Sequence, residues 1–170
     1  MTDKTKRNVE AIKALYLPYM TAWKNHVIPK PPRGMLVWAP GAKIDNSGKH
    51  FFDAEPHDFA DDPFFLDIEA QFFWRGIPDF RVTEMDVSGE GDVVLSVCKY
   101  EGTDTTGKAL PVAWTADRWR FDDEGRVVHW QQVTDLATWG EWQAAVPGDD
   151  YVTHIAKAFA EAGVPMRLYP

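Results

Sequence analysis

The chain has 170 residues, 18 Lys plus Arg against 26 Asp plus Glu, and a formal net charge of −8. A net negative chain has no general attraction to phosphate backbones, which argues against nucleic-acid binding, and no apolar run of about 18 residues is present to span a membrane. The polar start MTDKTKRNVEAIK shows no signal peptide, and a single cysteine, Cys98, cannot build a disulfide framework, so the expectation is a soluble chain of a reducing cytoplasm.

The length fits a single domain over residues 1–170. Eight Trp, ten Phe and five Tyr give 23 aromatic rings, a surplus over what packing so small a core requires. In chain order, Val9, Ile12, Leu15, Tyr16, Tyr19, Met20 and Trp23 recur at helical spacing and predict an amphipathic helix over roughly Lys4 to Asn25. Pro18 either kinks it near Ala14 to Pro18 or divides it into two short helices. Residues 26–63 are rich in Pro and Gly and read as a long loop region with one short strand near Ala42 to Asp45. Asp62 and Pro63 read as the cap and first position of a helix running through Trp74 to Gly76, with Phe64, Phe65, Ile68, Phe72 and Phe73 on its apolar face.

From Pro78 the pattern changes to strands. FRVTEMDVS, DVVLSVCKYEG, ALPVAWTADRWRF and RVVHWQQVTD are separated by short Gly-containing turns, which predicts an antiparallel sheet. LATWGEWQAAV follows as a short helix, and Asp150 is placed to cap another that ends at Gly163. Helices first and strands later define an α+β arrangement.

Alternation in ALPVAWTADRWRF places Ala113, Thr115, Asp117 and Trp119 on one face. A carboxyl beside tryptophan has its pKa raised and can act as a neutral donor, while a salt bridge from Asp117 to Arg118, Arg120 or another base is the structural alternative. His129 shares a face with Gln131 and suits either a general base near neutral pH or a cross-strand partner. Of the adjacent Gln131 and Gln132, one amide is expected to point inward. The loop cluster of His50, Asp53, His57 and Asp58 follows no metal-ligand spacing, so no metal is expected there. There is no phosphate-cradling glycine loop, nucleophile elbow or Cys-x-x-Cys, so the reading carries no cofactor and no covalent Ser or Cys chemistry.

The stretch from IPDFRVTEMDVS through RVVHWQQVTD, with the preceding ALYLPYMTAWKNH, resembles the SnoaL-like polyketide cyclases and ketosteroid-isomerase-like proteins of the nuclear transport factor 2-like superfamily, over roughly Val9 to Asp135. That resemblance implies a cone-shaped roll in which a curved sheet and N-terminal helices enclose a deep apolar pocket, with 136–170 as a C-terminal helical extension. It also implies a homodimer formed through the outer sheet face. By the same resemblance Tyr19 and Asp117 take the positions of the two oxyanion donors. The aspartate base of the isomerases is replaced by Asn46, with Asp45 one residue away, and the cyclases' last-strand aspartate by Gln131 or Gln132. His129 or Asp45 is then the expected base, and Trp23, Trp119, Gln131 and Phe72 the expected substrate-binding residues. The function expected is proton abstraction and enolate stabilisation on a hydrophobic cyclic carbonyl compound, of isomerase, cyclase or dehydratase type. The alternative is a non-catalytic ligand-binding or assembly module of the same fold.

Overall fold

The apolar stripe of the N-terminal segment forms α1, Asp3–Tyr16, capped by Thr2, whose hydroxyl accepts from the Thr5 amide at 3.2 Å. Such a cap contributes about 1 kcal/mol. The α-helix stops just before Pro18, which has no amide to donate, and the chain continues as two 3₁₀ turns, Leu17–Met20 and Ala22–Lys24. The proline thus ends the helix instead of kinking it. The structure, a computed structural model, describes the backbone of residues 1–54, 58–61, 65–163 and 167–168, and side chains within that set other than those of 49–54, 65–66 and 167–168.

The remaining elements are β1 (Trp38–Asn46), β2 (Lys49–Ala54), α2 (Phe65–Trp74), β3 (Arg81–Glu90), β4 (Val93–Glu101), β5 (Ala113–Phe121), β6 (Val127–Thr134), α3 (Leu136–Ala144), α4 (Tyr151–Glu161) and β7 (Arg167–Leu168). They form one sheet in the order β3-β4-β5-β6-β1-β2-β7 among the described residues. The four late strands pair antiparallel with one another, as the short turns require. The expectation of a wholly antiparallel sheet is corrected at β1, which lies parallel to β6. A parallel pairing joins segments far apart in sequence and leaves no turn signal to read. The expected strand at Ala42 to Asp45 lies in the C-terminal half of a longer one. The predicted cap at Asp62 and Pro63 lies outside the described residues, whereas Asp150 caps α4 as expected, accepting from the Thr153 amide at 2.9 Å.

One face of the sheet is covered. Along β5, Ala113, Thr115, Asp117, Trp119 and Phe121 are buried while the residues between them are exposed. This inner face packs on α1, and Gly89 makes the close approach possible: a Cβ there would stand 2.7 Å from Val9 Cγ2 and 3.3 Å from Thr5 Cγ2. Rings fill the interior. Tyr16, Tyr19, Phe72, Phe73, Phe80, Tyr100, Trp119, Trp130 and Trp142 are all fully buried, and each contributes roughly 1.5–3 kcal/mol or more by burial. α3 and α4 belong to the same core through Trp139, Trp142, Ile155 and Phe159. Cys98 is a buried thiol within it. Among the described residues, no helix is long and apolar enough to cross a membrane.

Candidate active site

Asp117 sits mid-strand on the inner face, 2% exposed. Strand alternation points Arg118 and Arg120 to the opposite face, so the salt bridge to either of them that spacing allowed does not form. Its partners are instead neutral donors from three elements. Trp130 Nε1 on β6 donates to Oδ1 at 2.8 Å, and Tyr16 OH at the end of α1 donates to Oδ2 at 3.1 Å. Ser96 on β4 donates to Oδ2 at 3.4 Å and itself accepts from Trp119 Nε1 at 3.2 Å. Gln132 also bonds the carboxyl, while its side-chain oxygen accepts from Asn46 Nδ2 at 3.1 Å. Gln132 is therefore the inward amide of the pair.

Burial pushes the Asp117 carboxyl up to about 6, against the pull of Trp130, Tyr16, Gln132 and Ser96, all of which favour its charged form. Burial, reinforced by the Asp117 charge, holds the Tyr16 phenol far above its ordinary range, so it stays a neutral donor. The indoles of Trp119 and Trp130 stack above this group, centroids 4.6 Å apart and 7° from parallel.

A second buried carboxyl occupies the same interior. Glu69 on α2 is 7% exposed and accepts from Tyr151 OH of α4 at 2.7 Å. Burial raises it to about 7; the Tyr151 bond opposes that rise and the Asp117 charge adds to it. Glu69 carries a sequence signal for this burial. In IEAQFF it stands three and four residues before Phe72 and Phe73, on the apolar stripe of its helix.

The other expected site residues divide between faces. The phenol that reaches Asp117 is Tyr16, one helical turn before Tyr19; Tyr19 is buried nearby, edge-on to Phe80 at 6.3 Å. Trp119 lies on the inner face, and Phe72 packs against Tyr151 and His154. Trp23 is only partly buried, under the Arg81 guanidinium at 5.5 Å. His129 and Asp45 do meet, Nε2 to Oδ2 at 2.6 Å, but on the outer face, since His129 is paired across the ladder with Arg120 and Asp45 with Gln131. Gln131 likewise faces outward and accepts from Arg118 at 2.8 Å. A base for an inner pocket thus cannot come from His129 or Asp45: the alternation of strand side chains turns them away from Asp117. Trp114, on the same outward set, is exposed.

The outer face carries a concavity of about 290 Å³ lined by Leu95, Val97, Ala116, Arg118, Gln131 and Val133 among others. Of the loop cluster His50, Asp53, His57 and Asp58, the first three side chains lie outside the described residues. Asp58 ties its own loop, accepting from the amides of Gly34 at 2.6 Å and Ala60 at 2.8 Å. Among the described residues no group of three or more His, Cys, Asp or Glu is placed to hold a metal ion.

Comparison with solved structures agrees with this architecture. The chain superposes on a provisionally named SnoaL-like polyketide cyclase from Jannaschia sp. CCS1 with a TM-score of 0.53 and 17% identity, over 86% of this chain and 98% of that one. It superposes more loosely on IdmH, a provisionally assigned polyketide cyclase from Streptomyces antibioticus, with a TM-score of 0.48 and 22% identity, over 81% of this chain and 98% of that one. No protein-family profile and no curated protein matches the sequence. The fold is the α+β cone of the SnoaL-like, nuclear transport factor 2-like kind.

Proposed function

We propose that this chain is a small-molecule enzyme of isomerase, cyclase or dehydratase type that abstracts a proton next to the carbonyl of a hydrophobic cyclic compound and stabilises the resulting enolate. The observation that carries this reading is Asp117: a carboxyl buried among aromatic rings, raised to about 6, and surrounded by oriented donors. A group that titrates near neutral pH inside a dry interior is suited to proton transfer. The resemblance implied a neutral donor at this position, but the surroundings favour the carboxylate. Trp130 Nε1 can only donate, and Gln132, its oxygen taken by Asn46, offers an N–H. Asp117 is accordingly the proton acceptor, oriented by Tyr16, Ser96 and Trp130, with Trp119 and Trp130 against the substrate ring. The polyketide cyclase name of the Jannaschia protein supports the class.

The assembly proposed is a homodimer through the outer sheet face, where Leu95, Val97, Trp114 and Val133 are exposed together. The domain proposed is the whole of 1–170, with 136–170 a C-terminal extension whose α3 and α4 pack into the core.

The test uses 2-tetralone, a hydrophobic cyclic ketone with acidic protons beside its carbonyl. In D2O the protein should quench tryptophan fluorescence saturably on binding it and catalyse its α-hydrogen exchange, read by NMR. Asp117→Asn should cut that exchange by about 100-fold or more. The saturation of Asp117 by internal donors also favours a second reading, a binding module in which this carboxyl only holds the core together. Saturable quenching without exchange establishes that reading instead.

A further inference from the structure

The proposed chemistry leaves the substrate oxygen without a proton donor, because the phenol of Tyr16 is already committed to Asp117. Among the described residues, the same interior holds a second carboxyl that this chemistry has not used. Glu69 projects from α2 and is fixed by Tyr151 at 2.7 Å. The groups that face it are Tyr151 on α4, Tyr19 on the 3₁₀ turn, Tyr16 on α1, Cys98 and Tyr100 on β4, and Asp117 on β5. All the phenols and the thiol are held protonated by burial, so Asp117 is the one member of the cluster that shares the neutral range with Glu69.

We infer that Glu69 is the general acid of this site, a neutral carboxyl that donates to the substrate carbonyl oxygen while Asp117 takes the neighbouring carbon's proton. The inference rests on the function proposed above. Two carboxyls in one low-dielectric interior resist ionising together, so loss of the first proton discourages loss of the second. Asp117, with its several donors, is the one favoured as the anion; Glu69, with Tyr151 as its donor among the described residues, keeps the proton.

The step balances. The C–H electron pair becomes the C=C bond of the enol and the proton passes to Asp117. The carbonyl π pair moves to oxygen, which takes the proton of Glu69. In isomerisation Asp117 returns its proton to a conjugated carbon and Glu69 recovers its own from the enol oxygen, so no proton is gained or lost. Tyr151 is a positioning residue: its hydrogen bond aims the carboxyl and lowers its affinity for the proton.

The experiment is the pH profile of 2-tetralone exchange. The wild-type protein should show a bell, with an acid limb from Asp117 and an alkaline limb from Glu69. Glu69→Gln should lower the maximum by at least tenfold and abolish the alkaline limb while keeping the acid one. Tyr151→Phe should move the alkaline limb to higher pH. An unchanged alkaline limb in both variants overturns the role of Glu69 yet leaves the function standing, provided Asp117→Asn is inactive. No exchange by the wild-type protein overturns both. A 13C titration of the Glu69 carboxyl provides a check free of activity: a midpoint in the range of an exposed glutamate refutes the assignment.

Discussion

The phenol of Tyr16 donates to Oδ2 of Asp117 at 3.1 Å, joining the last turn of α1 to the middle of β5 across 101 positions of sequence. The bond favours the charged carboxyl, so removing it should raise the affinity of Asp117 for its proton. Tyr16→Phe is expected to move the acid limb of the exchange profile upward by about one pH unit, equivalent to roughly 1.4 kcal/mol. Tyr19→Phe should leave that limb in place, and the two profiles measured side by side separate the phenols.

Glu69 gives a stability prediction with a definite sign. Its carboxyl is raised from the ordinary 4.5 to about 7 in the folded chain. Below the ordinary value both states are protonated and the group costs nothing. As pH rises towards the folded value the unfolded chain ionises first, and the cost grows until both states are ionised. Glu69→Gln removes a penalty on the order of 3 kcal/mol that the wild-type protein carries at pH ~8 and lacks at pH ~4. Urea unfolding at the two pH values should show the variant gaining at the higher one only. An equal gain at both would contradict the buried acid.

Ser96 serves two partners through one oxygen, accepting from Trp119 Nε1 and donating to Asp117. Ser96→Ala strands a buried indole donor and should cost about 1–3 kcal/mol of stability. It should also red-shift or broaden the tryptophan emission. A stability change within experimental error would mean that another acceptor replaces the hydroxyl.

His129→Ala and Asp45→Asn alter a pair on the outer face of the sheet. Each should leave 2-tetralone exchange within about twofold of wild type, as substitutions remote from the reacting group usually do. A hundredfold loss in either would return the base to that pair.

Val133 is 61% exposed amid the apolar residues of the outer face. Val133→Glu should convert a dimer into a monomer by light scattering, since an unpaired buried charge is strongly disfavoured. A wild-type protein that is already monomeric at high micromolar concentration removes the proposed interface.

Much of this was legible beforehand because it depends on periods. Alternation alone placed Asp117 beside Trp119 on one face of β5, and the helical stripe put both Tyr16 and Tyr19 inside. Choosing between those phenols needed the ending of α1 at Tyr16, where a proline two residues on replaces the α-helix by tighter turns. The burial of Glu69 was legible in its spacing to Phe72 and Phe73, against the usual exposure of a charged side chain. The base expected at His129 and Asp45 failed for a topological reason. Their meeting is a product of the parallel β1–β6 pairing, and the pleat of those strands turns both outward.

The missing side chain at Gly89 has a consequence at the opposite end of α1. It lets the helix rest on β3 at Val9, and Tyr16 lies seven residues further on, about 10 Å along a stiff rod. A methyl group at position 89 would press on the Val9 and Thr5 side chains, which would have to shift. The seat of the Tyr16 phenol beside the β5 carboxyl is thereby tied to a packing contact between α1 and β3.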